Sequence, residues 1–271
     1  MKVPAGNPRN LPALLAALHE DKRTVAVLVP GTPGGAIHVR EGMIVAVDTP
    51  GAPSPQSTLV KSGRVEDGAW AAAWAASGPQ EYSLRDELQA RGLLTPQEFE
   101  IACTAAVFDG AFALALGPGS DWEVRDPVPT VVVGRAFAPH VVAAETTRRL
   151  AALTHLWGSP AEFARTRIRP TDAPRPALSP RYTAVLDAAN GRRTPRDLAF
   201  ALGRGTYAVM LDLARLRTLG LVHHDMEAAA GRPSTAPRLP GPRSGGITPA
   251  SGAPLPQRTP GTHHPHRSDT V

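Results

Sequence analysis

The chain has 271 residues, 42% hydrophobic and 5% aromatic, which accommodates one or two domains with appendages and is enough to bury a core. Its single cysteine, Cys103, excludes an internal disulfide and a cysteine-based zinc site and fits a reducing cytoplasm. The formal charge of +5 is modest, so its distribution along the chain carries more information than its sum.

The first apolar run, Leu11 to Leu18, is followed at once by His19-Glu20-Asp21-Lys22-Arg23. It lacks a small-residue cleavage site and does not read as a leader. Asn10-Leu11-Pro12 opens a helix with Leu11, Leu14, Leu15 and Leu18 on one face. Thr24 to Val29 reads as a buried strand. Pro30 to Gly35 is a turn, and no Gly-Lys-Ser/Thr follows it, so it is not a phosphate loop. Ala36 to Arg40 alternates apolar and polar residues, Glu41-Gly42 is a two-residue hairpin turn, and Met43 to Val47 returns. This opening resembles the PATAN-type domain of bacterial regulatory proteins. The resemblance rests on the leucine face, on Thr24 and Val25, on Gly35 and Ile37, and on the run from Arg40 to Ala46. It covers residues 7–120 and implies a signalling or protein-interaction role without catalysis.

Pro50 to Ser57 is a connector, and an internal repeat follows. Leu59, Gly63, Val65 and Trp70 recur as Leu88, Gly92, Leu94 and Phe99. Each unit reads as a helix, a glycine cap, an apolar contact and a second helix anchored by an aromatic. Thr95-Pro96 with Glu98 is a helix start. The repeat is similar to the helical hairpins of type II secretion ATPases, some of which bind cyclic di-GMP. It lacks their Arg-Leu-Gly step, which leaves a helical packing unit beside the nucleotide reading. Cys103 lies on an apolar face and reads as a buried thiol. Ala102 to Leu116 is apolar, but it contains Asp109 and is too short to span a bilayer. Leu114–Leu116 and Trp122–Val124 are expected to pair as strands. Val141 to Leu156 reads as a helix with a Glu145–Arg149 pair, and Ser159-Pro160 starts a short one. Arg167 to Leu178 is Pro-rich and basic and reads as an interdomain linker.

Residues 179–224 read as three short helices closing on a strand. Ser179-Pro180 and Thr194-Pro195 are helix starts, and Asn190-Gly191 and Gly203 are stops. Thr206 is placed to cap the third helix, where Val209, Met210, Leu213 and Leu216 follow helical spacing. Gly220 ends it, and Leu221-Val222 are extended. Val209, Leu213, Leu216 and Gly220-Leu221-Val222 resemble the winged helices of bacterial transcriptional regulators. The resemblance implies that the third helix enters the major groove. The base-reading positions would then be Ala208, Met210, Leu211 and Asp212, two of them bulky and apolar and one acidic. Phosphate contacts would come from Arg192, Arg193, Arg196 and Arg204, with Thr206, Tyr207, Arg215 and Arg217 on or near the third helix. Asp187 and Asp197 are expected to pair with Arg181, Arg193 or Arg196. Residues 1–168 carry 15 Lys/Arg against 17 Asp/Glu, residues 169–226 carry 9 against 5, and residues 227–271 carry 5 against 2. That split favours a polyanion at the carboxy-terminal half, and a basic solvated surface would read the same way.

From Glu227 apolar periodicity ceases and the composition is that of a disordered tail. His263, His264 and His266 belong to it. His19, His38, His140 and His155 are scattered, and no nucleophile, paired-carboxylate or zinc motif is present. No enzyme activity, cofactor or metal is expected.

The expected fold is α+β. Residues 1–125 are a signalling or interaction domain of helix, β-hairpin and helical hairpins. Residues 126–178 are a connecting helix and linker, 179–226 a winged helix-turn-helix, and 227–271 the tail. The expected function is a cytoplasmic bacterial regulator that contacts DNA, with a protein partner or self-association through the amino-terminal domain and no membrane contact. The alternatives are a protein-interaction adaptor that binds no DNA, with Met210, Leu211 and Tyr207 as its contact residues, and a cyclic dinucleotide receptor. If Tyr207, Leu211 and Arg215 were sealed against the amino-terminal half, no outward helix would remain.

Overall fold

Asn10 starts the fold. Its side chain accepts from the Ala13 amide at 2.9 Å, and helix α1 (Leu11–Glu20) follows with Leu14, Leu15 and Leu18 buried. The computed structural model describes residues 9–77, 83–118, 121–127, 130 and 135–224. Strands β1 (Val25–Val29), β2 (Gly35–Arg40) and β3 (Met43–Asp48) form an antiparallel meander in which Val27 faces Ile37 and Ile37 faces Val47. The hairpin turn is as expected: Glu41 and Gly42 both have positive φ, 48° and 77°, which suits a two-residue turn between twisted strands.

Strand β4 (Glu123–Arg125) pairs with β1 and completes the order β3-β2-β1-β4. The expected pairing of Leu114–Leu116 with Trp122–Val124 is corrected. Leu114 and Ala115 belong to a helix, Leu116 is its C-cap, and Val124 faces Val27. The run stays helical because a Thr95–Glu98 capping box starts it and no proline interrupts it before Pro118.

The repeat is real. Helices α2 (Pro55–Lys61) and α3 (Asp67–Ala76) form one unit, and α4 (Ser83–Ala90) and α5 (Pro96–Ala115) form the other. In the first, the Arg64 and Val65 amides return to the Leu59 carbonyl, and in the second the Leu93 and Leu94 amides return to that of Leu88. Gly63 and Gly92 hold the left-handed position at φ 71° and 66°. Val65 and Leu94 lie beneath, with Trp70 and Phe99 buried as anchors. Helix α5 lies against β3, and a Cβ on Gly110 would come within 2.8 Å of the Val47 carbonyl oxygen. Burial pushes the Cys103 thiol up to about 12, so it is a packing residue rather than a nucleophile.

Helix α6 (Pro139–Trp157) and the short α7 (Pro160–Phe163) lead to strand β5 (Ile168–Pro170). Then come α8 (Pro180–Ala188), α9 (Pro195–Leu202), α10 (Thr206–Thr218) and strand β6 (Val222–His224), which pairs antiparallel with β5. Three helices followed by a strand match the expected order. The linker reading of residues 167–178 is corrected at its start: Ile168 is fully buried, its amide bonds the Arg193 carbonyl, and Thr171 bonds that of Leu221. Proline is tolerated there because the ladder is short and two-stranded.

Two hydrophobic clusters result. One joins α1, the sheet and the helical hairpins. The other joins Phe112 and Leu116 of α5 and Leu153 of α6 to α7–α10 and β5–β6. Helices α5 and α6 therefore serve both clusters, and the expected boundaries near residues 125 and 178 do not separate them. All described residues fall in one compact unit, and the expected tail lies outside the described residues. Among the described residues no helix is long and apolar enough to cross a membrane.

Phe112 of α5 has no exposed surface and packs in the second cluster against Tyr207, while Phe99, Cys103 and Val107 of the same helix lie in the first. Phe112→Ala should cost about 3–5 kcal/mol. In urea, the indole NMR signals of Trp70 and Trp157 should vanish together at a lower midpoint than in the unsubstituted chain.

Candidate functional site

The first turn of any helix carries amides with no partner inside the helix, and its dipole favours negative charge there. In α10 those amides point at α5. Asp109 accepts from the Thr206 amide at 2.6 Å through Oδ2 and from the Tyr207 amide at 2.9 Å through Oδ1. The Thr206 hydroxyl donates to the Gly51 carbonyl at 3.0 Å. Thr206 was expected to cap its own helix, but the N-cap is Gly205 and the capping group comes from 97 residues upstream.

Burial pushes the Asp109 carboxyl above its ordinary value, against the pull of the Tyr207 and Thr206 amides and of Arg149. Arg149 of α6 stands 3.8 Å from Asp109 Oδ1 and covers the Tyr207 ring at 4.8 Å. Its Nε is held 2.7 Å from Glu145 Oε1, the pair read from sequence. Tyr207 meets Phe112 edge to face at 5.2 Å. The approach is close because the preceding residues are small. A Cβ on Gly205 would sit 3.2 Å from the Asp109 carboxyl carbon, and one on Gly203, at φ 60°, would strike Lys61 of α2 at 2.5 Å.

The anticipated base-reading face of α10 is only partly outward. Met210 and Asp212 are buried, while Ala208 and Leu211 are half-buried. Asp212 does not present a bare charge: its Oδ1 accepts from Arg181 at 2.7 Å and its Oδ2 from Arg204 at 2.5 Å. The test posed by Tyr207, Leu211 and Arg215 divides. Tyr207 packs on the amino-terminal half, Leu211 is half-buried in the second cluster, and Arg215 is exposed and donates to the Tyr182 hydroxyl at 3.2 Å.

The other candidate cations are mostly engaged. Arg196 donates to the Pro50 carbonyl at 2.6 Å, and Arg193 to that of Ala188 at 2.9 Å. Arg217 lies over the Trp157 ring at 4.5 Å and donates to its carbonyl. Arg192 is exposed, next to Arg193 in the loop ordered by Asn190 Oδ1. Thr206 is thus corrected from a DNA contact to a buried fastening, and Tyr207 and Arg204 are committed to internal partners. Asp187 pairs with Arg175, and Asp197 completes a capping box with Thr194, so neither makes the arginine pair expected of it.

Asp109 was overlooked as a functional residue because its partner is a pair of backbone amides. The available signal was an acid inside the otherwise apolar stretch from Ala105 to Ala115, with two glycines flanking an arginine just before the third helix of the carboxy-terminal unit.

Replacing Asp109 by alanine should lower stability by on the order of 3 kcal/mol, since hydrogen bonds to charged groups contribute about 1.5–3 kcal/mol each. Asp109→Asn should lose less, because one carboxamide oxygen still accepts. In both, hydrogen exchange at the Thr206 and Tyr207 amides should quicken. Hydrogen bonds first from Arg148 and then from Arg149 hold Glu145 down at about 2. A carboxyl lowered in the folded state stabilises above its ordinary value of 4.5 and loses that contribution as pH falls toward about 2. Glu145→Gln should therefore lower stability at neutral pH and flatten its fall across that window, measured by urea titration at a series of pH values. No family model, curated protein or solved structure matches the chain.

Proposed function

We propose that the chain is a regulatory adaptor that acts by protein contact, with its trihelical unit fixed to the amino-terminal body. The observation that carries this reading is the engagement of the Thr206 and Tyr207 amides by Asp109. In helix-turn-helix proteins the first residues of the third helix meet the base edges. Here that end of α10 is turned toward α5 and α6. The resemblance of the amino-terminal half to a PATAN-type domain supports a signalling role for the body.

A second reading, DNA binding through phosphates alone, is favoured by the exposed Arg192 and by the excess of 9 Lys/Arg over 5 Asp/Glu in residues 169–226. Phosphate contacts position a protein without specifying sequence. The two readings separate in one experiment, genomic footprinting of the tagged full chain with and without nuclease before recovery of its partners. The adaptor reading expects no discrete sites and partners retained after nuclease. Discrete sites sharing a sequence would overturn it. Any residual duplex binding should fall by orders of magnitude between about 50 and about 200 mM salt, and it should weaken further when Arg192 and Arg193 are both changed to alanine.

A further inference from the structure

A cleft of about 660 Å³ opens between α1, the sheet, the end of α5 and α6. That volume falls within the range of small-molecule sites, roughly 300–1,000 Å³. Its floor is aliphatic: Val29, Ile37 and Val47 from the sheet, with Leu15 of α1 and Leu114 of α5 beside them. The exposed Ala16, Ala115 and Thr147 bring its edge to solvent.

Thr146, Thr147 and Glu20 supply acceptors on the lining, while Asn10, His19 and His140 can accept or donate. The Thr146 and Thr147 hydroxyls donate to the Val142 and Ala143 carbonyls at 2.8 and 2.9 Å, which leaves their oxygens as acceptors. His19 Nδ1 lies 3.0 Å from the Gly42 carbonyl oxygen. A carbonyl can only accept, so Nδ1 carries the proton, and Nε2 then accepts in a neutral ring and donates in a charged one. Glu20 adds a carboxylate. Among the described residues that line the cleft there is no lysine or arginine.

We propose that this cleft binds a neutral, unbranched aliphatic molecule whose single polar end donates a hydrogen bond, such as an alcohol. The chain would lie on the aliphatic floor, each buried methylene contributing about 0.8 kcal/mol. The donor end would meet the threonine oxygens, His19 or Glu20. A carboxylate or phosphate end is disfavoured, because it would meet the like charge of Glu20 with no lysine or arginine on the lining to neutralise it. The proposal gives the body of the adaptor a signal to receive and rests on that reading only for its purpose. Binding is measured on the purified chain, apart from any partner or DNA.

The test uses 1-octanol and octanoate, which share a chain and differ in the end group. Each is titrated into the full-length protein while the methyl NMR signals of Leu15, Leu114 and Leu150 are followed. The expected result is saturable shifts with 1-octanol and affinity for octanoate weaker by about tenfold or more, a difference of 1.4 kcal/mol. Ala143→Phe, at a half-buried position on the α6 wall, should abolish the shifts with little change in unfolding temperature. Should that variant unfold, Ala115→Phe at the exposed edge serves the same purpose. No saturable response to 1-octanol, equal or tighter binding of octanoate, or unchanged binding in the folded filled variant would each overturn the proposal.

Discussion

The carboxylate of Asp109 beneath the first turn of α10 is the contact on which the arrangement of the molecule depends. Removing a charge from water is costly, and a helix start without partners is costly too. Each need is met by the other. Arg149 adds a cation at the same place and stacks on the ring that covers it. The consequence is directional: α10 is aimed at the amino-terminal half, and it also packs on α8, α9 and β6, with Arg215 and Thr218 left exposed. A helix held at its leading end and on most of its flanks behaves as a core element.

That geometry bears on how the basic carboxy-terminal half is understood. Counting arginines treats them as free charges, yet several hold partners within the fold, although Arg192, Arg196 and Arg215 are exposed. Arg204 and Arg181 neutralise the buried Asp212, Arg196 ties α9 to Pro50, and Arg217 lies on Trp157. What reaches solvent is sparser than composition suggests. The proposed adaptor role and the proposed aliphatic cleft both dispense with the free lysines and arginines that a nucleic-acid site would need.

Local signals in the sequence were reliable where one short-range rule governed. Asn10, Thr95 and Thr194 cap the helices they were read to cap, Glu41-Gly42 turns the hairpin, and Gly63 and Gly92 mark the repeat. Errors arose where distant residues decide. Leu114–Leu116 precedes a Gly-Pro-Gly-Ser run and so suggests a strand, but a capped helix runs through to Ala115. Residues 167–178 have the composition of a linker, but Ile168 is fixed by the Arg193 carbonyl and by a strand partner more than fifty residues on. The partner of Asp109 was hidden for the same reason. A carboxylate that caps a helix 97 residues away leaves no periodicity and no motif.

The sharing of α5 between the two clusters has a consequence for synthesis. A chain made from its amino terminus presents Asp109, Phe112 and Leu116 long before α10 exists to cover them. A nascent chain arrested before residue 206 would carry a completed sheet and helical hairpins together with a bare apolar strip and an uncapped acid. Such a species is a natural client for chaperones, and translation speed through residues 170–220 would govern how long it persists.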